Sequence, residues 1–345
     1  MKNFYTLPQR RFSLIFLLFF LMPLLWLQAA AAAQKPADTI TRKATVMGTN
    51  LEVTYAGIDK ERADKAFAVI VKEFRRVENE LSEWRGETYV IKINKNAGKA
   101  PVAVPHELFM IIKAAEMVSR LSKGAFDITW ASMWGLWDFS SALHNVPDKA
   151  KVQARLKKVN YRAVVLDEVK KTVFLREPGM AMGLGGIAKG YAVDSAISLV
   201  NAMGIKDIII KAGGDMRVQG TVGGELWRIG IRHPRDKDKL LASLSLRDIS
   251  ISTSGDYEHF FIKDGVLYHH IIDARTGYPA RGSRSVTVLG PDTMTTDALS
   301  TAIFVMGPKE GMALVERLKG IEVIIVDSKG GLHTSRGITG LELDK

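Results

Sequence analysis

Gly183-Leu184-Gly185-Gly186-Ile187-Ala188-Lys189-Gly190-Tyr191-Ala192-Val193-Asp194 is the stretch on which the reading of the fold turns. Its glycines permit a tight turn and a close approach of backbone to ligand. Ile187, Val193, Ile197 and Val200 recur at helical spacing, which predicts a helix that starts inside the motif and ends at Gly204. Long helical patterns precede this stretch, and strand patterns dominate after it. A helix N-terminus behind a glycine turn favours an anion through its unpaired N–H groups and its dipole, and Lys189 adds a full charge one turn in. There is no Walker pattern, and a glycine-rich packing turn accounts for the same residues.

Upstream, Thr49 to Tyr55 alternates as a strand, and Asp59 to Trp84 follows as a helix whose Ala63, Phe67, Ile70, Phe74, Val77 and Leu81 line one face. Pro105 to Leu121 is a second helix, closed at Lys123-Gly124. A tryptophan-rich loop (Trp130, Trp134, Trp137) comes next, then two short strands between Ala163 and Leu175. Downstream of Gly204, strands are expected at 208–211, 216–220, 227–231, 240–246 and 249–253. Phe260 to Lys263 and Val266 to Ile272 flank Asp264-Gly265, a two-residue hairpin signal. A strand at 285–289, helices at 296–306 and 308–318, and a hairpin turning at Gly330-Gly331 complete the chain. Strands far outnumber crossover helices, so the expected class is α+β with largely antiparallel sheets flanked by helices. Residues 34–345 read as one domain of two interleaved lobes with no linker between them.

Residues 1–33 carry Lys2, Arg10 and Arg11, an apolar run from Phe12 to Leu27 and five alanines ending at Ala33, the pattern of a cleaved signal peptide. The apolar run is shorter than the ~20 residues of a spanning helix. The segment holds three of the 48 basic residues and none of the 37 acidic ones, so without it the net charge falls from +11 to +8. That excess suits anionic ligands or peripheral contact with the inner membrane. Nucleic acid is not expected, because basic residues do not interleave with aromatics in a block. The chain has no cysteine, which excludes disulfides, thiolate metal sites, cysteine nucleophiles and a lipid-modified cysteine.

Several stretches can carry chemistry. Asp297 and Thr301 lie four apart at a helix start, where a carboxylate and a hydroxyl share one face and suit a hard cation such as Mg²⁺. The same residues also suit an N-terminal Asp facing the helix dipole and a Thr bonded back to the chain. His269 and His270 alternate to opposite faces of a strand, so at most one enters a given cleft. That one can act as a base near Asp273 or Arg275, or rest as a hydrogen-bonded turn histidine. Ser252 to Tyr257 reads as a small polar turn suited to phosphate, or as a turn only. Ala212-Gly213-Gly214-Asp215 is a close-approach glycine pair. Trp84, Phe126, Trp130, Trp134 and Trp137 can stack on a flat ring such as flavin or adenine, or pack in the core.

Taken together these stretches resemble the ApbE family, the FAD:protein FMN transferases. The resemblance runs from Met47-Gly48-Thr49 to about Gly307. It includes Leu81-Ser82-Glu83-Trp84 with Ile93-Asn94, Gly124-Ala125-Phe126-Asp127-Ile128-Thr129, the Gly186 to Asp194 stretch, and Ala212-Gly213-Gly214-Asp215. Thr253 to Tyr257, His270-Ile271-Ile272-Asp273 with Arg275-Thr276-Gly277, and Thr296-Asp297-Ala298 with Thr301 complete it. It implies a T-fold-related α+β fold and Mg²⁺-dependent transfer of FMN from FAD to a Thr or Ser hydroxyl of an exported or membrane-bound acceptor flavoprotein, with release of AMP. By that resemblance FAD is contacted at Met47, Trp84, Ala125, Phe126, Asp127, Gly183, Lys189 and Ile272. Mg²⁺ is held at Asp297, Thr301 and the backbone of Gly186, and His270 is the base, with Asp297 counted beside it as catalytic.

The chain departs from the family pattern at Gly183, where the family commonly has an acidic residue that contacts flavin. Losing such a carboxylate would weaken FAD binding by ~1 to 3 kcal/mol. Thr88 in place of Ser, Ala274 in place of Pro, and His269 beside the base are smaller departures. The expected function is therefore a periplasmic FMN transferase. The alternatives are an FAD pyrophosphatase that gives FMN and AMP, and a non-catalytic FAD-binding or delivery protein.

Overall fold

Eight strands lie side by side in one sheet in the order in which they occur along the chain, with strands of smaller sheets between some of them: β1 (Thr39–Val46), β2 (Thr49–Ala56), β3 (Ile208–Ala212), β4 (Asp215–Gln219), β5 (Ile249–Gly255), β6 (Ser283–Gly290), β7 (Glu322–Asp327) and β8 (Leu332–Thr334). Every neighbouring pair is antiparallel. The computed structural model describes residues 38–139 and 145–344. The expected signal peptide at 1–33 lies outside them. No helix among the described residues is long and apolar enough to cross a membrane.

Two-residue turns set the register where the chain reverses directly. Met47 and Gly48 both have positive φ (48° and 69°) and join β1 to β2 with Val46 opposite Thr49, the geometry of a primed hairpin turn. Asp264-Gly265 (51° and 73°) does the same between Phe260–Lys263 and Val266–His269. The second strand of that hairpin stops at His269, three residues short of the expected end. Gly213-Gly214 is the turn between β3 and β4, and a Cβ at Gly214 would meet the Thr253 carbonyl oxygen at 2.4 Å. The close approach read at this pair is therefore one of strand to strand.

The longest connection, from β2 to β3, carries α1 (Lys60–Leu81), α2 (His106–Leu121) and α3 (Ala188–Ala202). The connection from β6 to β7 carries α4 (Thr293–Val315), kinked at Gly307 (φ 76°) before Pro308. That kink is where the sequence separates two helices. Asp59 caps α1 by accepting from the Arg62 N–H, and the helix ends at Leu81, so Ser82–Trp84 are free to line a site. Ala63, Ile70, Phe74, Val77 and Leu81 are buried as expected, while Phe67 is only partly covered.

The helices bury one face of the sheet, meeting Leu51, Val53, Ile208, Ile210, Val286, Val288, Val323 and Ile325. The opposite face is covered by a smaller antiparallel sheet (Trp227–Arg232, Leu240–Leu246, Glu342–Leu343) that packs Trp227, Ile229 and Leu244 against Val218, Ile251, Leu289 and Ile324. Strand alternation assigns the two faces, as in β5, where Ile251 points to the small sheet and Ser250 and Ser252 point to α4.

The expectation of a phosphate-binding turn at Ser252 to Tyr257 is corrected. Ser252 to Gly255 are strand, and their hydroxyls are paired: Ser252 with Thr296 (2.9 Å), Thr253 with Thr287 (2.9 Å) and Ser254 with Ser300 (2.8 Å). Asp256 is held bidentately by Arg235, with both contacts at 2.7 Å. The turn reading failed because small polar residues are common in turns, whereas here they alternate against a hydroxyl-bearing helix face. That match is invisible in β5 alone.

Candidate functional site

The glycine stretch behaves as its spacing predicts. Leu184 to Ile187 form a turn, α3 begins at Ala188, and no side chain caps its N-terminus. Gly190 lies where α3 crosses α4. A Cβ there would sit 2.3 Å from the Thr293 carbonyl oxygen and 2.8 Å from Asp297 Cβ, so only glycine permits the crossing. Asp194, one turn on, accepts the N–H groups of Thr293 (2.9 Å) and Met294 (2.8 Å), and Asp292 accepts that of Thr295 (2.8 Å). The N-terminus of α4 is thus capped by Asp194 and Asp292, and Asp297 is spared that duty.

Asp297 turns toward α3 instead. Its Oδ2 accepts the Gly190 N–H at 3.0 Å and lies 3.5 Å from Lys189 Nζ, which is 3.2 Å from Asp215 Oδ2 at the start of β4. Burial, and then repulsion from Asp215, push the Asp297 carboxyl up to about 7 against the pull of Lys189. For Lys189, burial works to lower the pKa, and the two carboxylates outweigh it and raise it. Lys189 thus faces two buried carboxyl groups, and Asp297 is one whose charge burial and Asp215 disfavour. Thr301 completes this group, with its Oγ1 3.4 Å from Ser254 Oγ. A Cβ at Gly186 would lie 3.7 Å from Thr301 Oγ1 and 3.0 Å from Phe126 Cε2.

Gly186, Phe126, Lys189, Asp297 and Thr301, five of the residues singled out in the sequence, therefore converge. Their oxygen donors fit a hard divalent cation. An aspartate carboxyl group, a hydroxyl and a backbone carbonyl are such donors. Among the described residues no three His, Asp or Glu side chains cluster as a metal site, so the hydroxyl and carbonyl oxygens are essential to that fit.

A second group of candidate residues is aromatic. Trp84, 52% exposed, stacks on Trp134 with ring centroids 3.9 Å apart and an interplanar angle of 14°. Glu83 lies beside it, and a Cβ at Gly183 would sit 2.7 Å from Glu83 Oε1. Burial pushes the Glu83 carboxyl up to about 7, opposed by the backbone N–H groups of Glu83 and Leu184. Met47 joins this group through Glu78, which accepts the Met47 N–H (3.2 Å) and pairs with Arg85 (2.8 Å). Ala125 and Phe126 are buried. Asp127 is buried too, and its oxygens are occupied by the Thr129 N–H (2.7 Å), the Thr129 hydroxyl (2.6 Å) and the Tyr161 N–H (2.8 Å). That carboxylate shapes the loop, with Oδ1 accepting twice and Oδ2 once. Trp137 lies apart, donating to the Gly277 carbonyl at 2.9 Å and packing on Tyr268 and Tyr278.

The two histidines divide as alternation requires. His269 is buried against Phe304. Its Nδ1 accepts the Ile271 N–H (3.2 Å), so its Nε2 donates to the Ala280 carbonyl (2.7 Å). His270 is exposed on the other face with its ring edge-on to His259, 5.3 Å between centroids. The surrounding protein, and then the neighbouring His259, His269 and Lys189, hold its pKa below the usual histidine range, so it is neutral at pH 7. Asp273, considered as its partner, is paired with Arg275 at 2.9 Å instead. Ile272 is partly buried in a short strand opposite Pro279.

A model of the ApbE family matches residues 47–325 of the chain. The chain belongs to the ApbE family. Similar curated members include an FAD:protein FMN transferase of Klebsiella pneumoniae, 34% identical over 285 residues that cover 82% of this chain and 87% of the relative. Another, of Treponema pallidum, is 32% identical and covers 86% and 87%. Among solved structures, an ApbE protein from Thermotoga maritima superposes with a TM-score of 0.79 at 33% identity, covering 87% of this chain and 97% of that one. The flavin transferase ApbE from Vibrio cholerae gives 0.77 at 29% identity. The α+β fold with antiparallel sheets and flanking helices is the ApbE fold.

In this ApbE chain, Asp215 and Glu83 are the two charged groups that the candidate-site reading passed over. Asp215 was legible as the residue after a strand and a glycine turn, and Glu83 as the acid next to an exposed tryptophan. Neither position reveals by itself that it faces Lys189 or Gly183 across the fold.

Proposed function

We propose that the chain transfers FMN from FAD to a threonine or serine hydroxyl of an exported acceptor flavoprotein, in a Mg²⁺-dependent reaction that releases AMP. The observation that carries this reading is the convergence of Lys189, Asp215, Asp297 and Thr301 at the uncapped, glycine-rich start of α3. Phosphoryl transfer needs positioning and charge neutralisation above all. Bound at Asp297, Thr301 and Gly186, Mg²⁺ would supply charge neutralisation at the pyrophosphate.

The protein's own groups do the rest. Lys189 and the N–H groups at the α3 N-terminus favour the phosphates. Trp84 offers an aromatic face to the flavin ring. His270, neutral and exposed, takes the proton from the acceptor hydroxyl as its oxygen bonds to the FMN phosphorus. The bond from that phosphorus to the bridging oxygen breaks, and AMP leaves with the electron pair. Export to the periplasm belongs to the same proposal and rests on residues 1–33. Protein recovered from the periplasm should then begin near Gln34 by intact mass.

The decisive test is incubation with FAD, Mg²⁺ and an exported candidate acceptor, followed by intact-mass measurement of the acceptor. The expected gain is one FMN unit, absent under chelation. AMP and free FMN without acceptor modification would replace this reading with a pyrophosphatase, and intact FAD throughout would replace it with a binding protein.

A further inference from the structure

Three buried side-chain polar atoms among the described residues have no hydrogen-bond partner: Tyr55 Oη, Ser283 Oγ and Glu83 Oε1. The first two belong to strands β2 and β6, whereas Glu83 lies in the segment after α1 that also presents Trp84. A buried carboxyl oxygen without a partner costs about 1–3 kcal/mol, and a fold does not gain by keeping it. The surroundings of Glu83 are otherwise well satisfied. Asn94 accepts the Met182 N–H (2.8 Å) and donates to the Met182 carbonyl (3.0 Å), and the Gly183 N–H donates to the Ile128 carbonyl (2.8 Å). The backbone facing Glu83 is therefore held from both sides.

Gly183 has no side chain to fill the space in front of Oε1, and a Cβ there would lie only 2.7 Å from that oxygen and 3.3 Å from Ala131 Cβ. Glycine at 183 and the unpartnered Oε1 of Glu83 therefore occupy one volume jointly. Four residues further on, the same glycine stretch reaches Ile187 and the uncapped start of α3, so a ligand with phosphates at Lys189 has its other end near Glu83.

We propose that Glu83 is a specificity residue for the flavin half of the substrate, its carboxyl group hydrogen-bonding the polar edge of the isoalloxazine ring across the side-chain-free face of Gly183. A ring edge that alternates carbonyl acceptors with an imide N–H needs a group able both to accept and to donate. A buried carboxyl whose pKa is raised to about 7 is such a group, since its protonated form is populated at neutral pH. Oε1 has almost no solvent contact, so the ring reaches it by displacing a neighbour. This inference rests on the proposed FAD site.

The test uses the full chain without Mg²⁺ and measures dissociation constants for FAD, riboflavin and ADP by fluorescence titration and calorimetry, alongside thermal unfolding. Glu83→Met removes the unpartnered oxygen at similar length. It should weaken FAD and riboflavin by roughly ten- to hundredfold, leave ADP within about twofold, and raise the unfolding midpoint. Glu83→Ala carries the same ligand expectation if methionine does not fit. Glu83→Gln, which still donates and accepts, should stay within about fivefold of wild type. Unchanged flavin affinity in Glu83→Met and Glu83→Ala, or an equal loss for ADP, overturns the proposal. Failure of the wild-type chain to bind FAD would instead sink the transferase reading, and this inference with it.

Discussion

Asp297 carries a charge that burial and Asp215 disfavour and Lys189 only partly restores. Asp297→Asn keeps the shape and the contact with the Gly190 N–H but removes that charge. Under the proposed mechanism, Mg²⁺-dependent AMP release should fall on the order of a thousandfold, while the metal-free unfolding midpoint holds or rises because repulsion from Asp215 is relieved. Retained activity in a stopped assay of AMP would remove Asp297 from the metal site. Glu83 makes a separate prediction about pH. Its pKa is raised on folding from 4.5 to about 7, so between those values the unfolded chain binds fewer protons. Stability therefore falls as pH rises across that window. Asp127, Asp194 and Asp297 are raised in the same sense and keep their own contributions in any Glu83 variant. Urea unfolding at pH 5 and pH 8 should show a smaller pH effect in Glu83→Gln than in wild type, by up to about 3 kcal/mol. An identical pH effect in both proteins would show that Glu83 is not held protonated by the fold.

The crossing of α3 over α4 is the element on which the site depends. Gly190 lets the two backbones meet, and Asp194 ties the first turn of α4 to α3 through two N–H groups. Asp194→Ala should cost about 1–2 kcal/mol in urea unfolding, the usual effect of losing a cap, and under the proposed mechanism should also weaken Mg²⁺ binding because Asp297 rides on the same helix. Asp194→Asn, with one acceptor oxygen left, should recover part of the stability. An unchanged unfolding free energy in Asp194→Ala would mean that Asp292 alone suffices. The hydroxyl pairs between β5 and α4 hold the other side of that helix, so its position is set by polar contacts along both faces.

On the scale of the molecule, the three layers separate stability from chemistry. The helices and the large sheet hold the site, while the small sheet covers the far face. Ile251 belongs to that far side, in the strand whose Ser252 and Ser254 face α4. Ile251→Ala should cost about 2–5 kcal/mol of stability, as truncations in packed cores do, yet leave FAD affinity within about twofold below the unfolding transition. A parallel loss of affinity would show that the strand transmits strain from one face to the other.

Local chemistry and spacing alone determined much of this protein. The helix that starts inside the glycine stretch, the Asp264-Gly265 hairpin, the break at Gly307-Pro308, the opposed faces of His269 and His270, and the α+β class all follow from periodicity, turn residues and strand alternation, which act within a few residues. Trp84, Lys189, Asp297 and Thr301 were readable as candidates for the same reason. Only the tertiary structure decided what those candidates face. The capping of α4 by Asp194 releases Asp297. Asp215 is brought to Lys189 by strand order, the serines of β5 are consumed by α4, the Asp127 carboxylate is occupied by its own loop, and Glu83 fills the space left by Gly183. Most of these depend on residues tens to a hundred positions apart, and burial gives such meetings their energy. No local pattern encodes that partnership.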